Sequence, residues 1–319
     1  SVFATTIHQY RSEISLVLPT RALGSEYIVS TKPSESAVNV GEFVVVGTNN
    51  SSTVNITSPV TIPSICTADI PFTITLDSGE VYQIKATGIG LDLTGTIIES
   101  VNGTDKFAVY SGHYFLRLLS TYNRDPLFEV EYPIASWGKE YIVPPIEGIP
   151  YTQYQAMAMS DGTQIFVNDT FVATLDKGEF YEDTLANIEV VRGSKPIKLM
   201  HFLPSSALVS PGLGYGDPAM SGIAANEQMF LDSITFIAHP GNSLTNNAVI
   251  TGTGDFTITA WINRATVNTY DFICGNYGSG NAGGVEFYGN NNGTFRRISS
   301  ILLPLGSPRL SAVAFSSVI

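Results

Sequence analysis

The sequence predicts an all-β protein: tandem β-sandwich modules with an internal repeat of about 100 residues, followed by a third β-rich segment. Two observations predict it. Leu76-Asp77-Ser78-Gly79-Glu80-Val81-Tyr82 returns as Leu175-Asp176-Lys177-Gly178-Glu179-Phe180-Tyr181. Short runs rich in Val, Ile, Thr, Phe and Tyr fill the chain between Gly, Pro, Asn and Asp, and helical periodicity is scarce. That spacing signals sandwiches or barrels rather than alternating βαβ units.

Strands are expected at residues 12–18, 27–31, 43–47, 53–57, 72–76, 81–86 and 107–110. The first unit opens on Gly24-Ser25-Glu26-Tyr27-Ile28-Val29, which returns as Gly138-Lys139-Glu140-Tyr141-Ile142-Val143. Polar reversals follow at Asn49-Asn50-Ser51 and at Ser160-Asp161-Gly162-Thr163. Each Asp-x-Gly-Glu segment then reads as the tight turn of a hairpin. A type I turn with a G1 bulge needs a positive φ, which Gly79 and Gly178 adopt without steric cost. Gly79→Val or Gly178→Val is therefore expected to damage folding rather than a binding site. Gly-centred turns are expected next, at Asn102-Gly103-Thr104 and Arg192-Gly193-Ser194, before closing strands at 107–110 and 197–202. The expected domains are residues 1–120, 121–225 and 226–319. The Pro-, Gly- and Ser-rich stretch 204–226 is the best linker, and residues 256–262 alternate like a strand with one buried face.

Composition bounds the function. The 319 residues are 44% apolar, enough for real cores, but only 14% charged, with a net charge of −12. Sixteen scattered basic residues do not make the clusters that nucleic acid or an anionic membrane requires. No apolar run approaches the roughly 18 residues of a membrane span. The chain begins at Ser1 without Met or an h-region, which fits a removed signal peptide or a cut chain. A polar but weakly charged surface suits an extracellular location or a cell or virion surface. Cys66 and Cys274 are the candidate pair for one long-range disulfide, against two separate buried thiols.

No catalytic, cofactor or metal constellation emerges. His8, His113, His201 and His239 are isolated, without the spacing of zinc ligands. Gly278-Ser279-Gly280-Asn281-Ala282-Gly283 matches GxGxxG but runs into a strand pattern, not a helix, so it reads as a loop. Glu129 and Glu131 share a strand face, as paired glycosidase carboxylates can, but read as surface acids beside a linker. Glu80 and Glu179 read as solvent-facing shoulders. Sequons at Asn49, Asn50, Asn55, Asn102, Asn168 and Asn292 are glycosylation candidates, most of them on predicted turns. Tyr151, Tyr154, Tyr181, Tyr215, Tyr270, Tyr277 and Tyr288 offer a sugar-stacking platform, with half-buried packing favoured for any one of them.

Ser136-Trp137-Gly138-Lys139-Glu140-Tyr141-Ile142-Val143-Pro144-Pro145 and Gly79-Glu80-Val81-Tyr82-Gln83-Ile84 carry a resemblance. Asp92-Leu93-Thr94-Gly95-Thr96-Ile97-Ile98 and Val109-Tyr110-Ser111-Gly112-His113 extend it. Together they resemble the amino-terminal region of IgG-Fc-binding proteins over residues 20–240. That family occurs in mucin-associated, adhesive and microbial surface proteins. The closing-turn proline is missing in the first unit, and the chain lacks the cysteines common in the family. Residues 241–319 weakly resemble the start of a laminin-G-type jelly roll through 255–262 and 284–288, or are a divergent third repeat. The resemblance implies a non-catalytic adhesion or binding module. Its partners would be proteins, glycans or copies of itself in a homo-oligomer or filament. A structural subunit and a glycan-binding, lectin-like protein are the alternatives.

Overall fold

Alternating apolar positions build a chain of strands. The computed structural model describes residues 2–8, 11–119, 124–146, 149–205 and 218–229, together with short strands from residue 260 onward. It divides into units Ser1–Met229 and Phe230–Ile319. The strands of the first unit begin with β1 (Val2–His8), β2 (Arg11–Val17), β3 (Glu26–Ile28), β4 (Gly41–Gly47), β5 (Ser52–Thr57) and β6 (Phe72–Leu76). Next come β7 (Val81–Lys85), β8 (Ile97–Ser100), β9 (Phe107–Leu116) and β10 (Asp125–Val130). The second half has β11 (Gly138–Val143), β12 (Thr152–Ala158), β13 (Thr163–Val167), β14 (Thr170–Leu175), β15 (Phe180–Leu185), β16 (Glu189–Leu203) and β17 (Ala219–Ile223). A single helical turn, α1 (Asn226–Met229), follows. In the second unit β18 (Ala260–Trp261) pairs in parallel with β22 (Phe315–Ser316). There β19 (Asp271–Cys274), β20 (Glu286–Gly289) and β21 (Phe295–Ile298) form an antiparallel sheet. The GxGxxG loop, His239 and most of residues 256–262 lie outside the described residues.

The first half is a sandwich of two four-stranded antiparallel sheets, β10-β9-β4-β7 and β3-β8-β5-β6. Phe43, Val45, Ile84, Phe107 and Val109 project from the first sheet onto Tyr27, Val54, Ile56, Leu76 and Ile98 of the second. The period-two burial of β4 and β5 shows why: one face of each strand is apolar and covered, the other half-open. β10 lies past residue 120 yet completes this first sandwich by pairing with β9. The β1–β2 hairpin docks beside it, with the Val130 amide donating to Ser15 Oγ at 2.8 Å.

The second half is one seven-stranded sheet system around Tyr141, Val143, Tyr154, Ala156, Ile165, Leu199 and neighbours. Its long strand β16 replaces the turn expected at Arg192-Gly193-Ser194. The segment Glu189–Gly193 pairs with β11 and β13, whereas Ile197–Leu203 pairs with β12 and β17. The chain changes partners there without reversing, a bend that lets one strand serve both layers. β17 likewise occupies part of the stretch expected to be linker.

The repeated Leu-Asp-x-Gly-Glu segments are turns, but they do not close hairpins. After Gly79 the chain leaves β6, which pairs with β5, and β7 joins β4 in the opposite sheet. After Gly178, β14 stays with β13, while β15 joins β12. The hydrogen bonds give the reason. The Gly79 amide donates to Gly47 O at 2.9 Å, and the Gly47 amide donates back to Glu80 O at 2.9 Å, so the turn is stitched to the end of β4. The Gly178 amide donates to Ala158 O at 3.1 Å, and the Ala158 amide returns to Glu179 O at 2.9 Å. Each Glu caps its own turn: Asp77 N–H donates to Glu80 Oε2 at 2.7 Å, and Asp176 N–H to Glu179 Oε2 at 2.8 Å. Each Asp carboxylate accepts from the neighbouring loop, Asp77 from Ser51 N–H and Asp176 from Gly162 N–H.

The opening segments behave alike. Gly24 N–H donates to the Tyr27 hydroxyl, which donates to Phe107 O at 2.8 Å. Gly138 N–H donates to the Tyr141 hydroxyl, which donates to Ile197 O at 2.5 Å. Burial above all pushes both phenols up to about 12.

Gly79 and Gly178 have φ of 85° and 84°. A side chain in this left-handed region costs about 1–2 kcal/mol. A Cβ on Gly79 would meet nothing, whereas one on Gly178 would lie 3.0 Å from Gly95 O. Gly79→Ala should therefore lower stability by about 1 kcal/mol and Gly178→Ala by more, read as urea midpoints. Equal shifts would show that the Gly95 contact yields freely.

Candidate functional site

Two places collect chemistry in Ser1–Met229. One is the outer face of the first sheet, and the other is a sealed polar junction between the halves.

Strand alternation places Val81, Gln83 and Lys85 of β7 beside Glu42, Val44 and Val46 of β4. Ala108, Tyr110 and Tyr114 of β9 continue the face to Phe128 of β10. Tyr110 and Phe128 stack with centroids 5.3 Å apart and planes at 10°. Lys85 Nζ lies 5.5 Å from the Tyr114 ring and 3.0 Å from Glu42 Oε2. Val81 and Tyr114 are more than half exposed. This rigid surface presents aromatic and aliphatic groups with few charges. It is suited to covering by another surface and offers no group placed for bond chemistry.

The junction is its opposite. Glu129 and Glu131, expected on the surface, are buried, Glu131 completely. β10 lies between β9 and the β1–β2 hairpin, so the side of β10 that would face water is covered. Lys198 of β16 reaches across from the second half, with Nζ 2.6 Å from Glu131 Oε2 and 2.6 Å from Ile28 O. Glu131 Oε1 accepts from Ser30 N–H and from Ser111 Oγ, each at 2.6 Å. Burial lowers the Lys198 ammonium from its ordinary range, against the pull of Glu131. Burial, then the neighbouring Glu131, raises Glu129 to about 8. Ile28, Trp137 and Met157 pack around this junction, with Lys198 Nζ 5.5 Å from the Trp137 ring.

A second bridge lies nearby. Lys32 Nζ donates to Gln153 Oε1 at 2.6 Å and pairs with Glu182, and it sits 4.2 Å from the centre of the Phe202 ring. Burial lowers its ammonium as well, against the pull of Glu182. Lys177 pairs with Glu26 at 2.6 Å, beside the Gly95–Gly178 contact. Asp92 holds the Gly95 loop through Thr31 Oγ1 and the amide and hydroxyl of Thr94. The sequence blocks around Asp92 and Trp137 are thus junction residues. Sequence reasoning missed Lys32 and Lys198. The available signal was a lysine inside the apolar run Ile197-Lys198-Leu199-Met200.

The remaining candidates scatter. His113 is fully buried and accepts from Phe115 N–H at 3.1 Å, and His201 bonds the Thr152 hydroxyl at 2.6 Å. Burial lowers both to about 4, so both rings are neutral at pH 7. Among the described residues no cluster of His, Cys, Asp and Glu could hold a metal ion. Asn49, Asn50, Asn102 and Asn168 lie exposed at turns. Asn50 Oδ1 accepts from Ser78 N–H at 3.1 Å, which brings that sequon onto the Gly79 turn. Asn55 is half-buried within β5, and Asn292 lies outside the described residues. Cys66 carries a free thiol, with Sγ 3.9 Å from Val60 O. The side chain of Cys274 lies outside the described residues, as do those of Tyr215, Tyr270, Tyr277 and Tyr288. Tyr154 is buried with its hydroxyl on Glu189, and Tyr181 bonds Asp183.

A family model described as IgGFc binding protein matches residues 13–290. The match runs beyond residue 240 into the segment read as laminin-G-like. A human protein named IgGFc-binding protein is 29% identical over 171 residues. Those residues are 53% of this chain and 3% of that protein, so the chain matches only a small part of the relative. No solved structure matches.

Removing one partner of a buried pair strands the other charge, at a cost of about 3–5 kcal/mol. Lys198→Met and Glu131→Leu should each destabilise on that scale, and the double variant by less than either. Chemical denaturation measures the cycle. The pH dependence has two limbs. Glu129 holds a proton in the folded state that the unfolded chain releases from an ordinary value of 4.5, so its contribution is complete below that value. It is lost as pH rises through about 8. The two histidines contribute fully above their ordinary 6.5, and that contribution is lost as pH falls through about 4. Glu129→Gln should flatten the alkaline limb of melting temperature against pH and leave the acid limb intact.

Proposed function

The chain belongs to the IgGFc-binding protein family, and we propose that it is a non-catalytic protein-binding module working outside the cell or on a cell surface. The observation that carries this reading is the outer face of β10-β9-β4-β7. It is an apolar and aromatic surface held on a rigid sheet, of the composition found at the centres of protein interfaces. The groups with catalytic chemistry lie elsewhere. His113, His201, Glu129 and Glu131 are sealed from solvent, where a substrate does not reach them. The exposed sequons at Asn49, Asn50, Asn102 and Asn168 support a secreted location. We read the two Leu-Asp-x-Gly-Glu halves as copies of one module, because their turn and tyrosine hydrogen bonds recur in the same order.

The relative's name makes the Fc portion of IgG the first probe. Immobilised Fc should capture the full chain in biolayer interferometry. Combined substitution of Tyr110, Tyr114 and Phe128 by Ser should weaken capture by roughly 30-fold or more, as loss of a hot spot does. The melting temperature should stay near that of the wild type. Capture that persists undiminished would exclude this face, and failure of the wild type to bind would exclude Fc as the partner.

A further inference from the structure

We propose that Glu131 and Lys198 are a site of self-catalysed covalent crosslinking, in which the lysine amine and the carboxyl group condense to an amide inside the folded chain. The geometry has each part such a reaction requires. Nζ and Oε2 are 2.6 Å apart, with side-chain exposures of 2% and 0%. An amine hydrogen-bonded to one carboxyl oxygen stands close to the roughly 3–3.5 Å near-attack separation from the carboxyl carbon. The other oxygen, Oε1, already accepts from the Ser30 amide and the Ser111 hydroxyl. These are the donors that an oxyanion developing on Oε1 would need.

The surroundings remove what normally prevents condensation. In water an ammonium and a carboxylate stay charged, the ammonium is no nucleophile, and solvent hydrolyses the product. Here burial disfavours the Lys198 ammonium, so transfer of a proton from Nζ to Oε2 along the existing hydrogen bond frees the amine to attack. Ile28 O accepts from Nζ and orients its lone pair. Trp137, Met157 and Ile28 shut the site from water.

The step balances without a co-reactant. The Lys198 amine attacks Cδ of Glu131, and the negative charge passes to Oε1 between Ser30 N–H and Ser111 O–H. Oε2 takes the second proton from Nζ along their shared hydrogen bond and leaves as water. A C–N bond replaces a C–O bond, one N–H remains, and an ion pair becomes a neutral amide. The product relieves the desolvation of two buried charges. It also ties the segment just after β10 in the first half to β16 of the second across 67 positions of the chain.

Intact-mass spectrometry of the purified, denatured full chain is the test. The expected mass lies one water molecule below that of the sequence. Trypsin should not cleave after Lys198, and a branched peptide should join the fragments containing Glu131 and Lys198. Lys198→Arg keeps the charge but should restore the full mass. A wild-type chain at full mass, cleaved normally after Lys198 following prolonged incubation at neutral pH, would overturn the proposal. That reading needs no variant to fold.

Discussion

A charge cannot be buried alone, and in this chain that constraint joins two sheet systems. Glu131 sits at the end of β10, under the first sandwich, where no water reaches it. Its partners come from three directions: Ser30 after β3, Ser111 on β9, and Lys198 on β16 of the other half. Each element must therefore be in place before the carboxylate is satisfied, and an apolar contact could not be as selective. A hydrophobic patch tolerates sliding, whereas a carboxylate with three short hydrogen bonds does not. Leu116, Leu118 and Leu127 pack on Met200, Phe202 and Met220 and supply apolar burial across the same junction. The ions fix the register. On this reading the two halves behave as one folded unit even though each has its own core.

Much of the fold was legible because strand alternation and turn chemistry are local. The strands at 43–47, 53–57, 72–76 and 81–86 are read from apolar residues at every second position. The left-handed φ of Gly79 and Gly178 follows from Asp-x-Gly alone. What local patterns did not carry was the identity of the partner strand. The segment after Gly79 looks like the second arm of a hairpin because both arms alternate, but alternation does not say which sheet an arm joins. That is settled by the amide of Gly47, more than thirty positions away, reaching the carbonyl of Glu80. The same limit explains Arg192-Gly193-Ser194, where turn-forming residues bend a strand between two sets of neighbours instead of ending it.

The site was less legible, for a different physical reason. Sequence reasoning assigns charged residues to the surface because isolated burial is costly, and so it set Glu129 and Glu131 beside a linker. The exception requires a compensating cation, and Lys198 stands far along the chain. Only the closed fold brings the pair together. The outer face was hidden for the converse reason. Tyr110, Tyr114 and Phe128 have the same alternation as core residues, and nothing in their spacing tells a covered sheet face from an open one.

The two halves, so alike in their turns, are not joined symmetrically. The Gly178 turn of the second half presses its backbone on the Gly95 loop of the first, and Lys177 pairs with Glu26 at that point. The corresponding Gly79 turn of the first half has open space around it. One turn is thus committed to holding the halves together, while its counterpart remains free at the surface, joined by hydrogen bond to the Asn49-Asn50-Ser51 reversal. A self-satisfied turn motif can be used in either way, because Asp, Gly and Glu complete its backbone bonding within the motif. The flanking residues differ accordingly: Lys177 stands where the first half has Ser78, and Gly95 lies where the backbones meet. The outer face of the first sheet stays open because the junction engages other surfaces of the sandwich.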